Sequence, residues 1–131
     1  MHRIYQVISE KLGTEYPLIT YNKMDDSKEN SVGIFLYPSE ADKETLDGQT
    51  VYESLKAHIQ VNAERSDAGE IKAIAYLRNF VSRIESEKST IPGVKLRGCL
   101  HVGMKSQPIG VNSFNIPVYV TNVAIKYILT D

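Results

Sequence analysis

The stretch from Val51 to Ala63, VYESLKAHIQVNA, alternates between two kinds of side chain almost without interruption. The odd-numbered positions are apolar, as at Leu55 and Ile59, with Glu53 the exception, and polar or amphipathic residues lie between them. This period of two predicts a β-strand with one buried face and one solvated face. At about 3.3 Å per residue the strand would be about 40 Å long, so we expect part of it to extend beyond the body of the domain.

A helix is predicted immediately after this strand. Ser66 and Asp67 both favour helix starts, and Glu70 follows Asp67 at the spacing of a capping box. Apolar residues then recur at intervals of three and four from Ile71 to Ile84. This period indicates an amphipathic helix, which is predicted to be the longest element of the chain.

The residues before this strand are predicted to form a short helix, a hairpin and a loop. One apolar helical stripe precedes Gly13, which is a residue suited to a helix end. The stripe consists of Ile4, Val7, Ile8 and Leu12. Two extended segments, Tyr16–Lys23 and Ser31–Tyr37, flank a polar turn and are predicted to pair as a hairpin. Between Pro38 and Thr50 neither period appears, so we interpret these residues as a charged surface loop.

The residues after the long helix return to a period of two. One predicted strand face carries Val94, Leu96, Leu100, Val102 and Met104, and the other carries Lys95, Arg97, Cys99, His101 and Lys105. A connection rich in Gly, Pro and Asn, Ser106–Ile116, leads to a last strand, Val118–Leu129. On this last strand Tyr119, Thr121, Val123, Ile125, Tyr127 and Leu129 are predicted to share one face.

The predicted order of elements is α-β-β-β-α-β-β in a single domain spanning residues 1–131. A chain of 131 residues is long enough for one domain with a core and too short for two. The strand, long helix and strand in succession suggest a crossover over one face of the sheet. We therefore predict an α+β fold, with a mixed or mostly antiparallel sheet covered by one long and one short helix.

Charge and composition disfavour several classes of protein. Fifteen Lys and Arg against sixteen Asp and Glu give a net charge of −1, which argues against nucleic-acid binding through a basic field and against a polybasic membrane-surface protein. No apolar run approaches the roughly 18–20 residues of a membrane span, and the N-terminus does not resemble a signal peptide. We expect a protein made in the cytosol, with no membrane partner and no direct readout of nucleic acid.

Few residues form a pattern that indicates catalysis or metal binding. The histidines, at positions 2, 58 and 101, lack zinc-site spacing, and His58 and His101 could approach only on neighbouring strands. The single cysteine, Cys99, lies two residues from His101, about 6–7 Å along a strand and too far for a direct hydrogen bond. We predict no enzyme, no catalytic residue, no metal ligand and no cofactor. A small enzyme using Cys99 or a histidine metal site remains a third interpretation.

The surface character of the chain favours protein contacts. It has eight tyrosines and no tryptophan, and tyrosine combines apolar area with a polar tip, as interfaces require. An ordinary half-buried position on a strand remains the more common role for any one of them. The long strand and the two irregular segments, Pro38–Thr50 and Ser106–Ile116, are typical places for partners to dock.

Several stretches of the sequence together resemble one protein family. They are Tyr52–Glu70, YESLKAHIQVNAERSDAGE; the strand Val94–Leu96; the turn Gln107–Gly110; and the closing stretch Phe114–Tyr127. In this order they resemble the small tail-terminator and minor capsid proteins of the phage head–tail junction. In that family the turn often reads Pro-x-x-Gly-x-Asp before an aromatic-rich strand, whereas Val111-Asn112 replaces the acidic position here.

The resemblance implies a protein that assembles as a ring, commonly a hexamer, on the end of the tail tube. Such a ring stops tube polymerisation and presents a surface to the head connector. The implied partners are other copies of this chain, the tail-tube protein and a head-completion or connector protein. The implied location is the virion, and the host cytoplasm during assembly.

Subunit or partner contacts are predicted on the charged loop, the polar face of the long strand and the Ser106–Ile116 connection. The candidate residues are Asp42, Lys43, Glu44, Tyr52, Lys56, His58, Gln60, Gln107, Asn112 and Phe114. The alternative function is a small α+β ligand-binding or regulatory module, which the same topology could serve. Clustered polar groups in a deep pocket would favour that alternative.

Overall fold

The computed structural model describes residues 2–46, 49–85 and 91–129. These residues form two helices and five strands: α1 (His2–Leu12), β1 (Leu18–Tyr21), β2 (Ser31–Leu46), β3 (Gln49–Asn62), α2 (Asp67–Ile84), β4 (Val94–Val111) and β5 (Pro117–Leu129). The order α-β-β-β-α-β-β and the α+β class agree with the sequence-based prediction.

The strands form one mixed sheet in the order β1-β2-β3-β5-β4. β1 pairs with β2 in parallel, and the other neighbouring pairs are antiparallel. β5 therefore lies between β3 and β4, which run in the same direction and are joined through α2. This is the predicted crossover, with one strand inserted between its two ends.

Both helices pack on one face of the sheet and enclose the core. All four apolar residues predicted for α1 are buried, as are Ala73, Tyr76, Leu77, Phe80 and Ile84 of α2. The sheet contributes Leu55, Ala57, Ile59 and Val61 of β3, with Tyr119, Thr121, Val123, Ile125 and Tyr127 of β5. Each large apolar side chain buried here contributes about 1.5–3 kcal/mol. The predicted alternation is confirmed on β5 from Thr121 to Tyr127 and on β3 from Leu55 to Val61, whereas at the start of β5 Val118 and Val120, on the opposite face, are buried too. We call the opposite sheet face, which carries Lys56, His58 and Asn122, the open face.

The predicted hairpin between the first two strands is wrong, because β1 and β2 are parallel, with Leu18 opposite Ser31. The connection between them turns back over β2, and Gly33 makes room for it. A Cβ atom at Gly33 would lie 2.7 Å from Met24 Sδ and 3.1 Å from the Lys23 carbonyl oxygen. At the start of the connection, Asn22 has a φ of 56°. Its Oδ1 accepts a hydrogen bond from the Leu36 backbone N–H at 3.2 Å, which ties the connection to β2.

The predicted loop Pro38–Thr50 is also wrong, since β2 continues to Leu46 and pairs with β3 as far as Gln49. The pairing passes from Ser39 opposite Ser54 to Glu44 opposite Tyr52. Four residues of β2, 40–43, therefore lie opposite the single residue 53 of β3. A bulge of this kind breaks the period of two, which explains why alternation failed to reveal the strand. Residues 47 and 48 lie outside the described part of the chain.

The predicted connection Ser106–Ile116 is too long, because β4 continues to Val111. The pairing passes from Val102 opposite Asn122 to Gln107 opposite Val120, so four residues of β4 again lie opposite one. Pro108 is compatible with this strand because β4 is an edge strand among the described ones.

A second irregularity of β4 lies at Arg97. Leu96 pairs with Tyr127 and Gly98 with Lys126, so residue 97 is an extra residue of β4. Leu96 therefore pairs with a residue of the covered face, whereas Leu100 pairs with Ala124, a residue of the open face. The prediction that Leu96 and Leu100 share one alternating pattern is wrong for this reason.

The start of α2 is set by Ser66 and Gly69. Ser66 is the N-cap, with an extended backbone, and its Oγ accepts a hydrogen bond from the Gly69 N–H at 3.0 Å. The cap is therefore the first of the two predicted residues, and the Asp67–Glu70 capping box is not formed. A Cβ atom at Gly69 would lie 2.5 Å from the Glu64 carbonyl oxygen, so the chain before the helix passes too close for any larger residue.

Candidate interaction surfaces

The predicted contact residues fall in three separate parts of the molecule. Asp42, Lys43, Glu44 and Tyr52 lie at one end of the sheet, on β2 and β3. Lys56, His58 and Gln60 lie on the open face, and Asn112 and Phe114 lie in the turn between β4 and β5, at the other end of the sheet. Gln107 of β4 and Gln60 of β3 both pair with Val120 of β5, which lies between them.

The first surface is the paired end of β2 and β3, residues 40–46 and 49–52, which we call the arm. β3 pairs with β2 as far as Gln49, whereas its described pairing with β5 begins at Glu53. The four residues 49–52 thus continue the hairpin beyond that pairing by about 13 Å, at about 3.3 Å per residue. Residues 42 and 43 are in the bulge of β2, and Glu44 pairs with Tyr52. The side chains of these four predicted contact residues lie outside the described part.

One long edge of β2 accompanies the arm. β1 pairs only with residues 31–34 of β2. Among the described strands, the rest of β2 therefore has a neighbour on one side only, β3. An unpaired strand edge presents backbone N–H and C=O groups at regular spacing, and another chain can complete it.

The second surface is the open face, where the polar side chains bond to one another. His58 Nδ1 lies 2.8 Å from Asn122 Oδ1, and the Phe35 ring meets the imidazole edge-on at 5.8 Å between centroids. Gln60 Nε2 donates to Asn62 Oδ1 at 3.2 Å. Lys56 is exposed, whereas His58 and Gln60 are half-buried. The face is thus a polar, partly ordered surface with an aromatic ring beside its central histidine.

The third surface is the end of the sheet opposite the arm, and Asn112 shapes it. Its Oδ1 accepts hydrogen bonds from the Phe114 N–H at 2.8 Å and the Ile116 N–H at 3.2 Å. Its Nδ2 donates to the Asp26 carbonyl oxygen at 2.8 Å. The Asn112 amide is therefore engaged within the chain, while the Phe114 side chain it positions is 52% exposed.

Asn62 and Arg65 tie the remaining connections of this end together. Asn62 is fully buried, and its Nδ2 lies 3.3 Å from the carbonyl oxygens of both Asp25 and Lys28. Arg65 forms an ion pair with Glu29 at 2.5 Å and donates to the Phe114 carbonyl oxygen at 3.3 Å. The connections 22–30, 63–66 and 112–116 thus form one hydrogen-bonded unit, which we call the base.

The sequence did not single out Asn62 or Arg65 as residues of the base. Asn62 lies at one of the polar positions of the alternating β3 pattern, so the sequence does not distinguish it from Gln60. Its distinguishing contacts are to backbone atoms 34 and 37 residues away, which no local pattern reports.

A buried tyrosine pair lies between the helices and the start of β1. The rings of Tyr16 and Tyr76 meet edge-to-face at 4.7 Å, and Lys72 Nζ lies 4.5 Å from the Tyr16 ring centroid. Neither tyrosine hydroxyl has a hydrogen-bond partner among the described residues. Burial, followed by the charge of Glu15, raises the pKa of Tyr16 to about 12, and the same two causes head those that raise the pKa of Tyr76.

An open groove runs between α1 and β1 beside this pair. Its lining includes Gln6, Ser9, Tyr16, Ile19, Tyr21 and Ile91. The lining is mixed in polarity, and the hydroxyl of Tyr16, one of its residues, is buried. The groove is the part of the described surface most relevant to a ligand-binding function.

The fold does not support a metal site formed by His58 and His101, and it does not test the interpretation of Cys99 as a nucleophile. β5 separates β3, which carries His58, from β4, which carries His101, so the two strands are not neighbours. The side chains of Cys99 and His101 lie outside the described part. Within the residues that are described, no three His, Cys, Asp or Glu side chains are grouped as metal ligands. None of the described helices is long and apolar enough to cross a membrane.

With these surfaces defined, the sequence was compared with known proteins. No protein-family model matches it, and no curated protein matches it either. The function proposed below is therefore argued from the surfaces of the chain and from the resemblance described above.

Proposed function

We propose that this chain is a structural protein of a phage or prophage that assembles as a ring at the end of the tail tube. The ring would end tube polymerisation and join the tail to the head. The hexameric number and the two partners, tail-tube protein and head connector, come from the family resemblance. The arm is the observation that carries self-assembly.

The arm supports self-assembly because a two-stranded ribbon is an incomplete structure. An isolated hairpin is marginally stable in water, and a third strand or a packing surface is needed to stabilise it. The arm continues past the described β3–β5 pairing, and β2 has one open edge along it. A neighbouring subunit that covers or pairs with this ribbon would supply the missing contacts.

The distribution of the surfaces also suits a ring. The arm and the base lie at opposite ends of the sheet, and the open face lies between them. A subunit of a closed ring uses two different surfaces for its two neighbours, because such an interface is head-to-tail. The net charge of −1 adds little repulsion when several copies pack side by side.

The groove between α1 and β1 favours a second candidate function, a small ligand-binding module. The mixed polar and apolar lining of this groove is the specific feature in its favour. A binding site usually brings several polar groups together inside an apolar pocket. This groove is open to solvent and not an enclosed pocket, so we place assembly first.

The proposed function is tested by adding the purified chain to the tail-tube protein of the same phage or prophage during tube polymerisation. We expect the mean tube length, measured by electron microscopy, to fall as the ratio of this chain to tube protein rises. We also expect the chain, labelled with gold, at tube ends only. Unchanged tube lengths with no label at the ends would contradict the proposed function.

A further inference from the structure

The outer edge of β1 carries backbone groups that bond to no described residue. Asn22, directly after β1, donates its N–H to the Ile34 carbonyl oxygen at 2.6 Å. In a parallel pair every second residue of a strand bonds to the neighbouring strand, so Thr20 faces β2 as Asn22 does. The N–H and C=O groups of Ile19 and Tyr21 therefore point away from β2, and no hydrogen bond within the described chain uses them. We call these groups the free edge.

β1 lacks features that usually protect an exposed strand edge. Such edges commonly carry charged side chains, proline or bulges. The four residues of β1 include no charge and no proline, their pairing is regular, and Leu18 and Tyr21 are 41% and 43% exposed. On the adjacent edge of β2, by contrast, the Leu36 N–H is already bonded to a side chain, and Pro38 has no N–H. The chain thus protects this part of β2 and leaves β1 open to strand addition.

The groove between α1 and β1 lies beside the free edge. The two residues of the free edge also line the groove: Ile19 packs on the core, and the Tyr21 ring meets Tyr5 of α1 edge-on at 4.5 Å. The α1 wall includes Ser9, and Ile91 adds a further apolar side chain. Since side chains of a strand alternate between its two faces, a strand laid against β1 would place every second side chain in this groove.

We propose that the free edge and this groove bind an extended peptide segment of another protein by β-strand addition. Hydrogen bonds to the backbone of Ile19 and Tyr21 hold the segment, and its alternate apolar side chains fill the groove. A groove open along its length suits an extended chain, whereas a small ligand is usually bound in an enclosed pocket. This binding site does not depend on the proposed ring.

The position of α1 favours a segment of another protein over β1 of a second copy. α1 already forms the second wall of the groove, and its Tyr5 ring contacts the Tyr21 ring. Two copies paired through β1 would bring a second α1 to the same edge. Neighbouring strands lie about 4.8 Å apart, whereas packed helices lie about 8–10 Å apart, so the two helices would crowd one another. The outer edge of β4 is interrupted by bulges and does not offer a regular strand either.

Hydrogen exchange of the β1 amides tests the proposal on the dilute protein. The probe is a fluorescent hexapeptide in which isoleucine and threonine alternate. We expect it to bind with a Kd below about 1 mM, measured by fluorescence anisotropy. At saturation the exchange of the Ile19 and Tyr21 amides should slow by at least about tenfold, because both become bonded. The Thr20 amide, which already faces β2, should exchange at an unchanged rate.

Two N-methylated forms of the hexapeptide test the backbone pairing itself. One carries N-methyl groups on the isoleucines and the other carries them on the threonines. In an added strand only one of these two sets directs its N–H groups at β1. One form should therefore bind at least about tenfold more weakly, and the other should stay within about threefold of the unmodified peptide. Equal affinity of the two forms would overturn strand addition.

A variant of α1 tests the groove. Ser9→Arg places a long side chain in the groove and should weaken peptide binding by at least about tenfold. Asn79→Arg, at an exposed position of α2 outside the groove, is the matched control and should bind as the wild type does. Circular dichroism and the thermal midpoint of both variants should match those of the wild type.

Two results would overturn the proposal. The first is no binding of the hexapeptide up to about 1 mM, with unchanged exchange of the Ile19 and Tyr21 amides. The second is protection of these amides in the protein alone, which grows with concentration and which the peptide does not compete for, because a second copy would then occupy the free edge. Failure of the chain to form a ring or to bind tube ends would leave all these measurements as predicted, so the proposed function and this inference fail separately.

Discussion

At the scale of single residues, the base depends on a few polar side chains that bond to backbone atoms. The Asn62 and Asn112 side chains both bond to the connection 22–30, which is distant from them in sequence, and Arg65 joins Glu29 to the Phe114 carbonyl. Each hydrogen bond of this kind contributes about 0.5–1.5 kcal/mol to the stability of the fold. These residues stiffen the base, and the exposed Phe114 side chain is presented by that stiff support.

The tyrosine pair gives a prediction about pH at the same scale. Since burial raises the pKa of Tyr16 to about 12, from about 10 in the unfolded chain, the folded state holds this proton more tightly. The resulting stability is fully present below pH 10 and is lost as the pH rises toward 12. Tyr76, whose pKa is also raised, acts in the same direction. In a Tyr16→Phe/Tyr76→Phe variant, urea unfolding should therefore show a flatter loss of stability between pH 10 and 12.

The same variant should not lose stability at pH 7, because both hydroxyls are buried without a partner. Removing an unsatisfied hydroxyl is expected to be neutral or to add up to about 1 kcal/mol per site. Tyr37→Phe, at an exposed position, is the matched control and should change neither value. A double variant that is less stable by more than about 2 kcal/mol at pH 7 would show that the hydroxyls are bonded.

At the scale of helices and strands, the start of α2 gives the next prediction. Replacing a helical glycine with alanine normally stabilises a protein by about 0.5–1 kcal/mol. Gly69→Ala should instead destabilise it by about 1–3 kcal/mol, because the new Cβ atom would lie 2.5 Å from the Glu64 carbonyl oxygen. The free energy of unfolding in urea measures the effect. Ser82→Ala, on the exposed face of the same helix, should be stabilising by a few tenths of a kcal/mol. A gain in stability for Gly69→Ala would contradict the close approach.

The elements that the sequence predicted are those whose period is uninterrupted. α1 and the central parts of β3 and β5 each bury one unbroken set of apolar residues, so periodicity alone located them. α2 was located as an element, but it buries a face different from the predicted stripe, since Ala73, Tyr76 and Phe80 are buried. The predicted extents of β2 and β4 are too short, because a bulge in each strand shifts the alternation of side chains by several residues. The direction of β1 was missed because it depends on Gly33 and Asn22, which act through contacts with the crossing chain.

At the scale of the whole molecule, the arm, the open face and the base give the chain several surfaces for contact. The sequence-based prediction placed contact residues on all three surfaces. It interpreted the arm as a loop, however, and it did not reveal that the Asn112 amide bonds within the chain. The exposed position of Ile71 on α2 could not be found from the sequence either. Ile71 fits the helical stripe, and only the observed packing shows that it faces outward, 67% exposed.

The central claim of this account is that the chain assembles with itself, and the arm is its main support. Asp42, Lys43 and Glu44 are the charged residues proposed to contact a neighbour there, at and beside the bulge of β2. Replacing all three with serine keeps a polar residue at each of these positions and leaves every described residue of the core unchanged. The variant should therefore fold as the wild type does and assemble less well.

The most direct measurement is the solution mass of the wild type and of this arm variant over a range of concentrations, by light scattering after size exclusion. We predict that the wild type forms a discrete higher oligomer, a hexamer by the family resemblance, or reaches it as the concentration rises. The arm variant should require a higher concentration to reach the same mass. A wild type that stays monomeric at every concentration, with tube ends present or absent, would contradict the account, and equal assembly of the two proteins would remove the arm from it.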